Sequence, residues 1–410
     1  MLVGVNMVFA QQRKCGYTSY YLNLIEKYPE ILKEEQELQQ ISEKSNYKLS
    51  QNSGIIQIPV VVHVLYNTEN QNISDEQIKS QIVALNRDYR ATNSDKLPGG
   101  HYFFDRIGDT EIEFCLAKEN PFGEPTTGIE RKYTSKISFA YSGNLNDEDE
   151  NIIKKSINGG LDAWNPSKYL NIWIANFTDG TLGYATFPND NAGIKDGVVI
   201  HYRAFGTTGN LLSSYNKGRT TTHEIGHWLG LKHIWGDVDN CFADDGISDT
   251  PKQYDATYGC PSGLYADECS PESTGRMYQN FMDYTDDACM ALFTIKQADY
   301  MRNILNTKRS SFVGNDIPCE IISAVTNNTQ IRNVKIYPNP ASNYLFIDGM
   351  SNNKEPYQIR LFNELGQIVY HTSVVLYKTE IELSALRNGI YYLDITSGDK
   401  QYNQSILVLH

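Results

Sequence analysis

The chain has 410 residues, 40% of them hydrophobic, and a formal net charge of −13 from 36 Lys and Arg against 49 Asp and Glu. That length exceeds one ordinary core, so two or three folded units are expected. The acidity argues against a nucleic-acid partner, which needs a basic face to displace counterions. No run of about 20 apolar residues is present to cross a bilayer as a transmembrane helix.

The chain begins "MLVGVNMVFAQQRKCG", apolar from Met1 to Ala10 and then polar. Val8 and Ala10 suit the small-residue positions before a signal-peptidase cut, although a basic start is missing, so residues 1–10 read as the remnant of a secretion signal. Residues 11–52 follow, charged and helix-prone from Tyr17 to about Ser45, with the polar spacer "SNYKLSQNSG" after them. They read as a detachable N-terminal segment rather than part of a core. "IIQIPVVVHVLY" (Ile55 to Tyr66) is β-branched and starts the first real core, and Pro59 suggests an edge strand or the beginning of a strand. In "SDEQIKSQIVALNRDY" Ser74 is an expected N-cap with Gln77 three residues on. Ile78, Ile82, Leu85 and Tyr89 then recur at helical spacing, which predicts an amphipathic helix. Further apolar runs, "EIEFCLA", "YLNIWIANF" and "DGVVIHY", complete a mixed α/β domain with a central sheet of modest size.

"TTTHEIGHWLGLKHIWGD" (residues 220–237) holds three of the eight histidines. His223 and His227 are four apart, so on a helix both imidazoles leave one face. Gly230 can take the left-handed conformation that ends a helix, and the chain can then return His233 as a third ligand. Three neutral imidazoles leave a fourth position open, the pattern of a catalytic zinc rather than a structural one. Glu224 lies one residue round from His223, better placed for water than for metal. The extended spacing H-E-x-x-H-x-x-G-x-x-H is specific.

Seven cysteines fit an oxidising compartment. Cys241, Cys260, Cys269 and Cys289 crowd one loop-rich stretch without any C-x-x-C pair, which favours disulfides over a second metal. Three pairings of these four are open. Cys15, Cys115 and Cys319 remain, and their odd number leaves one thiol for another task. Past Cys319, "EIISAVTNNTQIRN" (residues 320–333) reads as a linker. Residues 334–410 then alternate apolar and polar residues between frequent turn signals, as a small all-β sandwich does.

The zinc motif together with "QNFMDYTDDACM" resembles the metzincin clan, in which a methionine turn underlies the metal; Met282 would be that methionine. "GRTTTHEIGHWLGLKHIWGD", "DNCFADDGISDTP" and the N-x-M-x-Y turn resemble the pappalysin family and its ulilysin-like bacterial members, over about Ile55 to Cys319. The resemblance implies an α/β metzincin-like catalytic domain, a mixed twisted sheet plus helices around a zinc cleft, spanning residues 53–319. It implies a secreted zinc endopeptidase acting on protein or peptide substrates, with Glu224 as general base and Tyr284, two residues after the methionine, as donor to the oxyanion. It further implies the disulfides Cys241–Cys269 and Cys260–Cys289, with Cys115 and Cys319 able to form a third. A structural calcium is implied at Asp245, the Ser248 carbonyl and Thr250, hard oxygen ligands of the kind calcium takes.

"KCG" resembles the short cysteine motif of the family's propeptides, in which a thiolate fills the open zinc position; Cys15 would then hold residues 11–52 as an inhibitory segment. Asp283, Asp286 and Asp287 follow the methionine turn, near where metzincins form the pocket for the residue after the cut. An acidic pocket there would favour Arg or Lys, but the sequence does not say which aspartate points inward. "IYPNPASNYLFI" followed by "GIYYLDI" resembles the C-terminal sorting domains of the type IX secretion system. That implies export across the outer membrane of a Gram-negative bacterium, with the secretion machinery as partner. A carbohydrate-binding sandwich is the competitor for this tail, without a recognisable sugar site to support it. For the whole chain the rival is a catalytically inactive, zinc-stabilised surface adhesin, against which Glu224 argues, since a structural site has no use for it.

Overall fold

The computed structural model describes residues 12–44, 54–189, 192–322, 334–348, 356–363, 367–374, 378–397 and 400–410. The expected signal remnant, the spacer from residue 45 to 53 and the linker from residue 323 to 333 lie outside them. The chain divides into two compact units, residues 1–322 and 323–410.

In the first unit β1 (Ile56–Tyr66) organises everything else. It pairs in parallel with β2 (Ile112–Ala117) and β3 (Ile129–Tyr133) along one side and with β4 (Leu170–Ala175) along the other. Beyond β4 come β6 (Val198–His201), parallel, and β5 (Gly183–Ala185), antiparallel. The two-residue β7 (Cys319–Glu320) runs antiparallel to β2. The sheet is therefore mixed, with the order β5-β6-β4-β1-β2-β7 and β3 beside β1. Val60, Val62 and Val64 enter the main core while Leu65 enters a second one, so both faces are covered, as parallel strands require. The edge reading of Pro59 is corrected here: β1 is central. Pro59 fits because it pairs with Cys115 of β2, whereas β4 joins only from Val60, so the missing N–H falls where that neighbour has not begun.

Helix α3 (Asp75–Tyr89) starts as expected, the Ser74 hydroxyl accepting the Gln77 N–H at 3.2 Å. Helix α5 (Arg219–Trp228) carries the zinc motif and is buried at all ten residues. So polar a helix can be buried only if its side chains find partners. Thr222 donates to Asp88 at 2.7 Å, Thr221 to Gln81 at 3.0 Å, and Arg219 pairs with Asp88 and Asp95, both at 2.9 Å. The short α4 (Glu148–Ile153) and α6 (Ile295–Asn306), with the N-terminal pair, are the other α-helices among the described residues of this unit.

That pair departs from expectation. Helices α1 (Tyr17–Lys27) and α2 (Glu30–Lys44) do not stand apart from the cores. Tyr17, Tyr20, Tyr21 and Leu24 recur at one helical face and are buried in the second core with Trp173, Tyr184 and Phe187, and Leu38 joins the main core. Full burial of one such side chain contributes about 1.5–3 kcal/mol, enough in sum to hold the segment down. Disulfides join Cys115 to Cys319, Cys241 to Cys269 and Cys260 to Cys289, and Cys15 is free.

The second unit is all β. Strands β8 (Lys335–Tyr337), β9 (Tyr344–Asp348) and β12 (Lys378–Glu382) form one antiparallel sheet. Strands β10 (Tyr357–Phe362), β11 (Ile368–Val374), β13 (Gly389–Ser397) and β14 (Lys400–Val408) form the other. Leu345, Ile347 and Ile381 from the first meet Ile359, Leu361, Leu393 and Ile406 from the second in one core, which makes the unit a sandwich.

Candidate active site

Helix α5 presents His223 and His227 on one face, and Gly230 (φ +87°) turns the chain so that His233 comes back beside them. The three Nε2 atoms lie 3.1–3.2 Å apart. Each Nδ1 faces an acceptor: the Phe281 carbonyl at 2.7 Å, the Leu231 carbonyl at 2.7 Å and the Asp237 carboxylate at 2.6 Å, in the order His223, His227, His233. Each Nδ1 must therefore carry its ring's proton, which leaves three Nε2 lone pairs pointing at one another with no hydrogen between them. Burial holds His223 and His227 well below the usual imidazole range, so protonation does not relieve the conflict. A cation does. This donor set, three neutral imidazoles of fixed tautomer, fits a zinc ion.

Cys15 completes the cluster: its sulfur and one nitrogen from each histidine all lie within 4.8 Å of one another. The segment bearing it is extended and pairs in parallel with the free edge of β5, the Gly16 N–H donating to the Gly183 carbonyl and the Leu182 N–H to the Lys14 carbonyl, each at 2.9 Å. The thiol donates to Glu224 Oε2 at 3.3 Å. Burial pushes the Glu224 carboxyl up to about 8, and burial with the Glu224 charge pushes the thiol up as well. Tyr17 stacks flat on His227, ring centroids 3.9 Å apart.

Two glycines show how tightly the floor is built. A Cβ on Gly226 would lie 2.5 Å from Met282 Sδ, so the helix can rest on the methionine only because nothing projects there. A Cβ on Gly183 would lie 2.8 Å from Glu224 Cγ, so the strand edge and the glutamate also need a glycine between them. Tyr284 follows the same turn, its ring 4.8 Å from His233 and 5.8 Å from His223.

The three aspartates after the methionine turn have separate fates. Asp283 is buried and spent on the Thr257 and Tyr284 N–H groups, both at 2.8 Å, and on Gln253 at 3.1 Å. Asp286 is partly exposed and accepts from Ser214 at 3.0 Å. Asp287 alone faces a buried cation: Oδ2 takes the Lys217 and Arg219 N–H groups, while Oδ1 meets Arg13 at 2.7 Å. The Arg13 guanidinium also reaches Thr220 Oγ1 at 3.3 Å and lies 4.9 Å over the Tyr215 ring. Arg13 was not singled out from the sequence, though a signal existed. In an extended chain residues two apart share a side, and Arg13 stands two before Cys15. Asp237 was missed too, although it stands four after His233.

The loop proposed for calcium is well defined. Asp245 is 3% exposed; Oδ1 accepts from the Ile247 N–H and the Thr250 hydroxyl, and Oδ2 has no hydrogen-bond partner. A buried oxygen left open in this way suits a hard cation. Ser248 is engaged from α2, its N–H and hydroxyl both donating to Glu43.

Sequence and structure comparisons agree on kinship. The profile of a peptidase family described as pregnancy-associated plasma protein-A matches residues 151–306, and that of a secretion-system C-terminal sorting domain matches residues 335–409. An extracellular metalloprotease of Arthroderma benhamiae is 32% identical over 249 residues, covering 60% of this chain and 75% of that protein. A structure of mature mirolysin from Tannerella forsythia in complex with a cleaved peptide is 45% identical, with TM-score 0.61, over 65% of this chain and 99% of that one. The chain belongs to the pappalysin family. A glutamate-to-alanine mutant of Tannerella forsythia promirolysin is 42% identical, with TM-score 0.65, and covers 73% of this chain and 97% of that one. This pappalysin is accordingly a metalloendopeptidase with a catalytic metal and peptide substrates, carrying a type IX sorting tail that marks it for secretion or the cell surface. Among the described residues no helix is long and apolar enough to cross a membrane.

Proposed function

We propose that the protein is a zinc endopeptidase made as a latent zymogen, with His223, His227 and His233 as zinc ligands, Glu224 as general base, and a preference for a basic residue after the cut. The convergence of three proton-free Nε2 atoms beside a buried glutamate carries this reading. When bound, the ion supplies Lewis acidity, lowering the pKa of water and polarising a carbonyl. Glu224 takes the proton of the attacking water on its carboxylate and returns it to the departing amine. Tyr284 stands beside the histidines with a hydroxyl able to donate to the oxyanion. The free edge of β5 offers main-chain hydrogen bonds to an extended substrate, the same groups that now hold Lys14 and Gly16. Asp287 receives the basic side chain, as it receives Arg13.

In the latent form residues 11–52 act as the prosegment ahead of a catalytic domain at 53–319, and residues 320–333 link it to the sorting tail at 334–410. Cys15 would hold the fourth zinc position, and Glu224 Oε2, which accepts from the thiol at 3.3 Å, would keep the proton it gives up. Cys15→Ser removes the soft ligand but keeps the segment's shape. The intact variant is expected to cut a quenched peptide before any prosegment is lost, whereas the intact parent stays silent; equal silence would refute the switch.

Asp245 would hold a calcium ion with the Ser248 carbonyl and Thr250. EGTA treatment that leaves the measured zinc content unchanged is then expected to lower the melting temperature of the full chain by several degrees, restored by calcium but not magnesium; about 1 kcal/mol corresponds to 2–4 °C at domain sizes of 150–250 residues. The decisive test of the whole reading is a cleavage-site profile on a mixed peptide library, with zinc content measured on the same sample. Zinc-dependent cuts ahead of Arg or Lys support it. One bound zinc without any cut, after prosegment removal, would leave a structural metal instead.

A further inference from the structure

We propose that Asp237 is a positioning residue of the metal centre, the carboxylate that sets how strongly His233 binds zinc. The proposal rests on the zinc reading above. The three histidines are not held alike: His223 and His227 give their Nδ1 protons to neutral backbone carbonyls, whereas His233 gives its own to a carboxylate at 2.6 Å. A carboxylate pulls harder on that proton than a carbonyl does, so more electron density reaches the opposite nitrogen and its metal bond tightens. The Asp237 side chain is 15% exposed, so water screens little of this effect.

The local fold is arranged to deliver that carboxylate. The Gly236 N–H closes a turn on the His233 carbonyl at 2.9 Å, and Gly236 and Asp237 follow each other in left-handed conformation (φ +72° and +62°). Asp is among the few residues besides glycine that visit this region readily. A Cβ on Gly236 would lie 2.6 Å from the Asp244 N atom, so the turn is packed against its neighbour and cannot relax. Trp235 stacks on the His233 ring at 4.3 Å and fixes its plane. Ring plane and ring charge therefore have separate custodians, Trp235 and Asp237.

The same Oδ1 also accepts the Thr18 hydroxyl of α1 at 2.6 Å. The N-terminal segment thus reaches the metal site at two points, Cys15 on the open side and Thr18 behind His233. While the segment is docked, the Thr18 bond draws off part of the carboxylate's charge; once it leaves, Asp237 acts on His233 alone.

The test uses the full chain in a Glu224→Ala background, so that self-cutting cannot confuse it, and titrates a zinc chelator against the bound ion. Asp237→Asn keeps a side chain at ease in the left-handed region and removes only the charge. Zinc affinity is expected to fall by about 10–100-fold, with the melting temperature of the zinc-free protein unchanged. Asp237→Glu restores a carboxylate and is expected to recover part of the loss. Equal affinity in parent and Asp237→Asn would overturn the proposal. So would a Glu variant as weak as the Asn variant, or a zinc-free protein destabilised as much as the loaded one, since either would make the residue a mere structural support. A parent that holds no zinc would overturn this proposal and the zinc reading together, whereas zinc held without proteolysis would count against the protease assignment alone.

Discussion

Glu224→Ala is expected to lower kcat/KM on a peptide substrate by about 10²–10⁴-fold, the range a positioned acid–base group supplies, while the protein keeps one zinc. The carboxylate is 1% exposed and packed against the β5 edge through the glycine contact at Gly183. It cannot swing away, and burial raises its proton affinity, which makes the ionised carboxylate a stronger base. A group in that position takes a proton from water and gives it to an amine without first being desolvated. The alanine variant leaves all three histidines and their Nδ1 partners in place, so zinc content separates loss of the base from loss of the metal. Glu224→Gln, which keeps the shape but cannot accept the proton, should be as inactive. Activity within tenfold of the parent in both variants would remove Glu224 from the mechanism.

Asp287→Asn should act twice, in opposite directions. In the full chain it leaves the Arg13 guanidinium, 1% exposed, without its counter-ion. Stranding one partner of a buried pair costs about 3–5 kcal/mol, so the prosegment should dissociate far more readily once its chain is cut. In the released enzyme the same change should lower kcat/KM by about 10²–10³-fold for peptides with Arg after the scissile bond, by the same stranding of a buried charge. Substrates with Leu there should lose little. Matched Arg and Leu peptides, assayed on parent and variant, give the ratio directly. An unchanged ratio would show that the pocket for Arg13 is not the pocket for substrate. The two backbone N–H groups on Oδ2 remain satisfied if the asparagine presents its oxygen to them, so the loop itself should survive.

Much of the histidine cluster was legible because its spacing is helical. His223 and His227 share a face by periodicity, and Gly230 marks where that periodicity must stop. The rest depended on partners far away in the chain. Asp283, Asp286 and Asp287 cannot be told apart by composition, since what separates them is a backbone N–H at Thr257, a hydroxyl at Ser214 and a guanidinium at Arg13. The N-terminal helices were misjudged for a related reason. Their charge, conspicuous in "EEQELQQ", masks a stripe of tyrosines at Tyr17, Tyr20 and Tyr21 that is as apolar as a core needs once it meets Phe187. Pro59 misled because its missing donor matters only on a side where a neighbour is already pairing, and strand stagger is invisible in a single sequence.

Strand β7 is only two residues long, too short to keep its place by hydrogen bonds alone, yet Cys319 within it is joined to Cys115 of β2. Everything needed to shape the protease is thus finished and stapled before the sorting tail begins. The last staple of the first unit, at Cys319, lies ahead of residue 323, where the second unit begins. The staple also dates the finished product, since it closes only where thiols are oxidised, outside the cytoplasm whose own proteins such an enzyme would endanger.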